Sequence, residues 1–377
     1  MIKRGFRFSN VLFVFLSLLL LGAAFVFFKL RPVKAELRLD GPEPYFIAAG
    51  FIFNKDLEVI RNLDPEAYLC LPLADGGWIS ATDLSLTRRK PDGAVIWQRK
   101  GFFSHQIRII DNDYLLGFFY EVKKVNGERV KFDLIEKLDL KSGKTLKTFS
   151  IYDYFFNKAK LSPFQSLFDS QDKMVLAGGA RREASHFNSI SITENNVYIS
   201  DLRLPTLILT HELEFKGFNN FFESRIWPQA HGPLKWALQY RGLNSFYKNP
   251  PLKPVAPEDH SKHDLQFSDD NSKLVFVNRA VDSEHLKTFR IYEFRGSELV
   301  FQFPTDPEDY IESSCCGGVE KINDFYLVGA RAADLRSSFI GWVTPDGHWL
   351  IKKMIPFSIQ EIKKIPYDNF LELNQIR

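Results

Sequence analysis

Two kinds of hairpin recur along this chain at nearly constant intervals, and their recurrence restricts the fold more than any other feature. One kind turns at a glycine between short apolar runs, at Gly93, Gly143, Gly296 and Gly347. The intervals between these glycines are 50, 153 and 51 residues, and 153 is three times 51. A four-stranded unit with a repeat length of about 40–50 residues is typical of a β-propeller, in which each blade buries its faces against its neighbours.

The other kind of hairpin turns at acidic or amide residues and continues into an apolar strand. Such side chains tolerate the positive φ that two-residue hairpin turns need. The four turns of this kind are Asn112-Asp113, Asn195-Asn196, Asp270-Asn271 and Asn323-Asp324.

Together the two hairpins predict an all-β fold. An aromatic content of 15% agrees, because aromatic residues favour strands. We predict a β-propeller of about six blades over residues 36–377, with a pair of β-sandwiches as the alternative. Residues 155–260 keep the interval poorly and are expected to hold insertions or a degenerate blade.

An uncharged apolar segment occupies residues 11–28. As a helix its 18 residues would extend about 27 Å, close to the thickness of a bilayer core. We predict that residues 1–35 are a signal-anchor with one transmembrane helix, which places the propeller on the periplasmic, extracytoplasmic face. The alternative is a cleaved signal peptide, because Val33 and Ala35 match the small residues before a cleavage site. Both readings export the body of the protein.

Charge excludes one class of partner. Residues 1–35 hold six basic residues and no acid, so subtracting them from the net charge of +3 leaves −3 for residues 36–377. A mildly acidic body with scattered charge lacks the basic surface of a nucleic-acid-binding protein. Nucleic acid is therefore not expected as a partner.

Neither a metal site nor a cofactor site is predicted from motifs. Cys70, Cys315 and Cys316 form no C-x-x-C pair. His260 and His263 have the spacing of two ligands, but no third ligand follows at a plausible spacing.

Three histidines occupy the same place in their hairpins, at the beginning of the first strand. They are His105, His186 and His263. Equivalent positions of successive propeller blades meet around the central axis, so we expect the three imidazoles to share one pocket. The alternative is that each histidine is hydrogen-bonded within its own blade. The same register places Ser314 at the axis on the following blade.

The segments around these histidines resemble the bacterial arylsulfate sulfotransferases. The segment from His186, HFNSI, is similar to that family's H-x-N-S-[IV] motif. HDLQFSDDNS from His263 resembles its Q-H-D-x-Q … F-D-N motif, and SHQI from Ser104 resembles its H-H-D-I motif. The order of the three segments along the chain is also the family's order.

This resemblance implies a six-bladed propeller that transfers a sulfuryl group from an aryl sulfate ester to a phenolic acceptor. The transfer needs no nucleotide cofactor and passes through a sulfated histidine. The resemblance assigns the nucleophile to His263 and places His105, His186 and Asn188 around the sulfuryl oxygens. The family's arginine falls on Arg203 if one residue is missing from the turn, and otherwise that position holds Leu202.

The chain also departs from the family's pattern. Ser104 replaces the first of two histidines, Gln106 replaces the acid, and Lys262 stands where the family has glutamine before His263. These departures motivate a second functional hypothesis. In it the chain is a catalytically degenerate propeller that binds a ligand or a partner at its axis.

Overall fold

A computed structural model describes most of the chain beyond residue 43. The predicted membrane segment, residues 11–28, lies outside the described part, and so does all of 1–36. Within the described part, no helix is both long and apolar enough to cross a bilayer. All strands of the described residues belong to one compact unit, Leu39–Arg377. The described residues are 37, 39, 44–82, 85–125, 127–154, 182–183, 185–201, 206–219, 261–281 and 287–366.

The described strands form six antiparallel sheets, which confirms the predicted six-bladed β-propeller. The first three blades contain strands from the N-terminal half. Blade 1 contains β1 (Tyr45–Ala48), β2 (Phe51–Phe53) and β3 (Val59–Asn62). Blade 2 contains β4 (Leu69–Pro72), β5 (Trp78–Thr82), β6 (Ser85–Arg89) and β7 (Val95–Lys100). Blade 3 contains β8 (Phe102–Ile110), β9 (Tyr114–Val125), β10 (Glu128–Asp139) and β11 (Thr145–Ser150), with the short β12 (Arg182–Glu183) parallel to β10.

The remaining blades follow in chain order. Blade 4 contains β13 (Phe187–Ile192), β14 (Val197–Asp201), β15 (Thr206–Leu209) and β16 (Phe215–Asn219). Blade 5 contains β17 (Ser261–Phe267), β18 (Ser272–Val281), β19 (Lys287–Arg295) and β20 (Glu298–Phe303), and a 3-10 turn follows at Pro307–Asp309. Blade 6 contains β21 (Ser313–Ile322), β22 (Phe325–Ala332), β23 (Ser338–Val343) and β24 (Trp349–Ile355). The last strand, β25 (Ile362–Ile365), returns to blade 1 and pairs with β1.

Both predicted hairpin types are present, and each has a fixed place in a blade. The glycine turns join the two outer strands of blades 2, 3, 5 and 6, and all four glycines have positive φ. The acidic or amide turns join the two inner strands of blades 3 to 6. In blades 1 and 4 the outer turn has Leu57 (φ 59°) or Leu213 (φ 57°) in the left-handed region instead of glycine. The glycine count therefore missed these two blades.

The interpretation of the 153-residue interval as three repeats is wrong. Gly143 is in blade 3 and Gly296 is in blade 5, so the interval spans two blades rather than three. The extra length lies in residues 155–181 and 220–260, which are outside the described residues. The number of blades is nevertheless six, because β25 joins β1, β2 and β3 to form blade 1.

Apolar side chains between blades form the core. One cluster joins blades 3 and 4, and it includes Phe118, Phe132, Ile190 and Phe218. Similar clusters join blade 2 to blade 3 and blade 5 to blade 6. The innermost strands β4, β8, β13, β17, β21 and β25 therefore stand around one axis. Each strand from β4 to β21 contacts the next one in this order, and β1, which pairs with β25, contacts β4 and completes the ring.

We expect Ile362→Ala to destabilise the whole propeller. Ile362 is fully buried in β25, where its side chain meets the backbone of β22 at Gly329. Truncating a buried isoleucine usually costs about 2–5 kcal/mol. The measurement is the free energy of unfolding in urea, followed by tryptophan fluorescence.

Met354→Ala is the matched control, since Met354 lies in β24 with 63% of its side chain exposed. Its free energy of unfolding should stay within about 0.5 kcal/mol of the parent value. Equal losses for the two variants would contradict the role of β25 in closing the ring.

Candidate functional site

The structure brings the three predicted histidines together at the axis. Nε2 of His105 lies 3.0 Å from Nε2 of His186, and Nδ1 of His105 lies 3.2 Å from Nε2 of His263. The ring centroids are 5.1 Å and 4.7 Å apart in the same two pairs. His105 belongs to β8, His186 directly precedes β13, and His263 belongs to β17. Three successive blades therefore contribute one imidazole each.

β-bulges turn these side chains toward the axis. His263 is the extra residue of a bulge between Lys262 and Asp264, and Asn188 is the extra residue of a bulge in β13. The pairing of β8 is shifted between Phe102 and Ile107, the stretch that contains His105. A bulge re-aims a side chain that regular alternation would point elsewhere. An irregularity of this kind therefore occurs near the beginning of the inner strands β8, β13 and β17.

Blade 6 carries the same device at Cys316. The pairing of β21 with β22 shifts on both sides of Cys315, so Ser314 and Cys316 are extra residues. Cys316 has a φ of 60°, which is unusual for a residue with a side chain. Its side chain is buried. One ligand atom each from His105, His263 and Cys316 lies within 4.8 Å of the others.

Hydrogen bonds fix which nitrogen of each imidazole carries a proton. Nδ1 of His263 lies 2.9 Å from the carbonyl oxygen of Gly317, so it must donate. A neutral His263 then has its lone pair on Nε2, which accepts from Nδ1 of His105. By the same reasoning Nε2 of His105 accepts from Nε2 of His186. Oε1 of Gln360 lies 3.2 Å from Nδ1 of His105 and is a second acceptor there.

Gly317 has to be glycine for this geometry. Its φ is 146°, and a Cβ would lie 2.3 Å from the carbonyl oxygen of Gly329 and 2.6 Å from the ring of Phe276. Without a side chain, β21 approaches its neighbours closely enough for the carbonyl to reach His263.

Burial keeps the imidazoles of His105 and His263 neutral. It lowers the pKa of His263 to about 4. Burial, followed by the neighbouring His263 and His186, also lowers the pKa of His105 well below the usual value for histidine. At neutral pH both side chains therefore present lone pairs rather than positive charge.

Buried carboxylates hold the backbone around His186. The amide of His186 donates to Asp201 at 2.8 Å, and the next amide, of Phe187, donates to Asp133 at 2.9 Å. Asp133 forms an ion pair with Lys131 at 2.8 Å, and both side chains are almost completely buried. Burial raises the pKa of Asp133 in spite of that cation. The position of His186 thus depends on polar groups from blades 3 and 4.

A second polar layer lies directly behind the histidines. Asp264, next to His263, accepts hydrogen bonds from Gln106 at 2.8 Å and from Gln266 at 2.9 Å. Gln106 in turn accepts from Arg108 at 2.7 Å and from the amide of Ile190 at 2.9 Å. Gln106 therefore links the three inner strands β8, β13 and β17.

Charges from β21 and the region of β25 complete this layer. Arg108 pairs with Glu361 at 2.7 Å, and Lys363 pairs with Glu320 at 2.8 Å. Burial alone would raise the pKa of Asp264, but Lys363, then Arg108 and the two glutamines, lower it below its ordinary value. Asp264 is therefore an anion whose charge is balanced across the axis.

A cavity of about 560 Å³ opens at the other end of the inner strands. It lies beyond the charged layer, so it is separate from the histidines. Its lining includes the apolar residues Ile109, Ile192, Phe267 and Pro366 and the cations Arg108 and Lys363.

Two predicted residues cannot be placed. Arg203 lies outside the described residues, and the side chain of Ser314 is not described, although its backbone forms one of the bulges in β21. Sequence reasoning did not find Cys316, Gln360 and Asp264. For Cys316 the only signal in the sequence was its position two residues after Ser314, which the repeat register placed at the axis. Gln360 had no such signal, because it lies just before β25 and outside the repeated hairpins.

Comparisons with known proteins show the fold alone. No family model and no curated protein matches the sequence. A protein of unknown function from Bacteroides caccae is 12% identical, with a TM-score of 0.50 over 86% of this chain and 99% of that one. The computationally designed Ika8 protein is 9% identical, with a TM-score of 0.43 over 88% and 96% of the two chains. BamB from Moraxella catarrhalis is 9% identical, with a TM-score of 0.36 over 85% and 76%.

We expect Asp264→Ala to destabilise the fold strongly. The variant leaves Lys363 and Arg108 with less opposing charge. It also removes the acceptor of the amides of the buried Gln106 and the half-buried Gln266. Removing one member of a buried ion pair typically costs roughly 3–5 kcal/mol. Urea unfolding measures the loss. Asp324→Ala, at an exposed position of the β21–β22 turn, should change the free energy of unfolding by less than about 0.5 kcal/mol.

Proposed function

We propose that this protein is a sulfotransferase that moves a sulfuryl group from an aryl sulfate ester to a phenolic acceptor. The main support is that three imidazoles meet at the axis, two of them kept neutral by burial, with the lone pair of His263 on Nε2. The resemblance of the surrounding segments to the arylsulfate sulfotransferases names the reaction.

In the first step Nε2 of His263 attacks sulfur and the bond from sulfur to the aryl oxygen breaks. The departing aryl oxide takes a proton from Nε2 of His186, which enters this step as the imidazolium and is left as a neutral imidazole. In the second step a phenol attacks the sulfated His263 and returns that proton to His186. The imidazole of His263 is then regenerated with its lone pair on Nε2.

Charge on the sulfuryl oxygens requires donors from the protein. When the sulfuryl group separates His105 from His263, Nδ1–H of His105 can turn to one of its oxygens. The amide of Asn188 stands at the bulge of the next blade. Arg203 would supply a planar pair of N–H donors if the resemblance holds at that position. Sulfuryl transfer passes through a loose transition state, so positioning and charge stabilisation are the main contributions of the protein.

We predict that the full chain incubated with 4-nitrophenyl sulfate releases nitrophenol and acquires one sulfuryl adduct. Intact-mass and peptide analysis should place the adduct on His263. The His263→Asn variant should lose both the adduct and the release, because amide nitrogen is not a nucleophile. His348→Asn, at an exposed turn of blade 6, is the matched control and should behave like the parent. An adduct that persists in His263→Asn rules out this nucleophile.

We predict that Asn188→Ala slows transfer to phenol by about 10²–10³-fold, as the removal of one charge-stabilising donor does in other enzymes. The adduct on His263 should still form, only more slowly. Single-turnover rates of adduct formation and of its discharge by phenol provide the measurement. Unchanged rates would show that Asn188 does not face the sulfuryl group.

The second candidate is an exported propeller that binds a ligand or partner without turnover. The cavity of about 560 Å³ favours it, because that cavity is large enough for a small-molecule ligand and lies outside the histidine cluster. Absence of both nitrophenol release and adduct in the parent protein would support this candidate over the first.

A further inference from the structure

We propose that His105, His263 and Cys316 bind a zinc ion at the axis. The residues come from three blades, and one ligand atom of each lies within 4.8 Å of the others. Imidazole nitrogen and thiolate sulfur are ligands that zinc prefers. This proposal is independent of sulfuryl transfer, because it concerns only what these three side chains bind.

The distance between the two nitrogens suits a shared ion. Nδ1 of His105 and Nε2 of His263 are 3.2 Å apart. Two nitrogens at about 2.05 Å from a tetrahedral zinc ion would be about 3.3 Å apart. The two rings are nearly perpendicular, at 81°. The pair therefore needs little movement to accept the ion between its nitrogens.

The surroundings of His263 are those of a metal ligand. A ligating imidazole usually donates its other N–H to a carbonyl or carboxylate, which fixes the ring. Nδ1 of His263 does so with the carbonyl of Gly317, so Nε2 faces Nδ1 of His105. The accepting carbonyl belongs to Gly317, which directly follows Cys316 in the chain. One bulged segment of β21 thus supplies both the thiol and the group that orients His263.

His186 and Gln360 complete the neighbourhood. To bind through Nδ1, His105 has to carry its proton on Nε2, and Nε2 of His186 lies 3.0 Å away to accept it. His105 and His186 then both change tautomer without a net change in protons. Cys316 loses one proton to solvent as its thiolate forms. Oε1 of Gln360, 3.2 Å from Nδ1 of His105, is the available fourth ligand.

Zinc and sulfation would use the same lone pair. The ion occupies Nε2 of His263, which is also the nucleophile in the proposed transfer. Bound zinc should therefore protect His263 from sulfation, and a chelator should restore it. This consequence rests on the proposed function, whereas zinc binding itself does not.

The test uses the full chain, purified with chelator, with Co²⁺ as a spectroscopic probe and Zn²⁺ as a competitor. We expect one equivalent of Co²⁺ to bind, with near-ultraviolet absorption from a thiolate–cobalt bond, and one equivalent of Zn²⁺ to displace it. Cys316→Ser should abolish that absorption and weaken Zn²⁺ binding at least tenfold. His263→Asn should also weaken binding at least tenfold.

Cys70→Ala and His348→Asn are the controls, and both should bind as the parent does. Cys70 lies in a separate apolar cluster with Ile47 and Trp78. Circular dichroism verifies that each variant is folded. If Cys316→Ser does not fold, X-ray absorption at the zinc edge of the parent protein decides, with one sulfur and two imidazoles expected.

The proposal is overturned if the parent binds no Co²⁺ or Zn²⁺, or if Cys316→Ser binds both unchanged. It is also overturned if the thiolate absorption depends on Cys315 or Cys70 instead. The sulfation assay separates the two proposals. Failure of the parent to become sulfated in the absence of metal contradicts only the proposed function, and failure to bind metal contradicts only this one.

Discussion

Pairing of the last strand with the first is the interaction on which the rest of this structure depends. A blade has two faces, and each is covered only by another blade, so an open ring would expose apolar surface at both of its ends. β25 prevents this by hydrogen bonding along β1, with Tyr45 opposite Ile365 and Ala48 opposite Ile362. Once the ring is closed, six inner strands surround one axis. Their polar side chains then pair with one another across the axis, as Gln106 does with Asp264 and Arg108 does with Glu361.

The functional cluster arises from irregularities in otherwise regular strands. Regular alternation in β17 would direct His263 and Asp264 to opposite faces. The bulge at His263 lets the first residue join the imidazole cluster and the second join the charged layer behind it. Comparable irregularities occur at Asn188 and Cys316. The propeller thus supplies a stable frame, and a few extra residues determine what meets at its centre.

Much of the fold could be predicted from local sequence, because hairpin turns have strong local requirements. Gly93, Gly143, Gly296 and Gly347 all take the positive φ that their positions suggest. The same reasoning failed where Leu57 and Leu213 take that conformation, since leucine gives no turn signal. Closure of the ring by β25 could not be predicted either, because a strand of four residues, two apolar and two basic, resembles any other short strand.

For the candidate site, the sequence predicted the meeting of the three histidines but not their partners. Repeat register places His105, His186 and His263 at equivalent points, and convergence follows from the symmetry of a propeller. Gln360 and Gly317 contribute through contacts across more than 50 residues of chain, which no local pattern encodes. Cys316 required two successive bulges in β21, and register counting stopped at Ser314 for that reason.

The position of Gln360 and Glu361 has a consequence for biosynthesis. These residues, which touch His105 and Arg108, are synthesised after all the strands from β1 to β24. Until they arrive, the central side chains of blade 3 lack part of their hydrogen-bonding and charge partners. The histidine cluster therefore cannot be completed before the segment that carries β25 has been made, and a chain that stopped before residue 360 would lack both the closing strand and these partners.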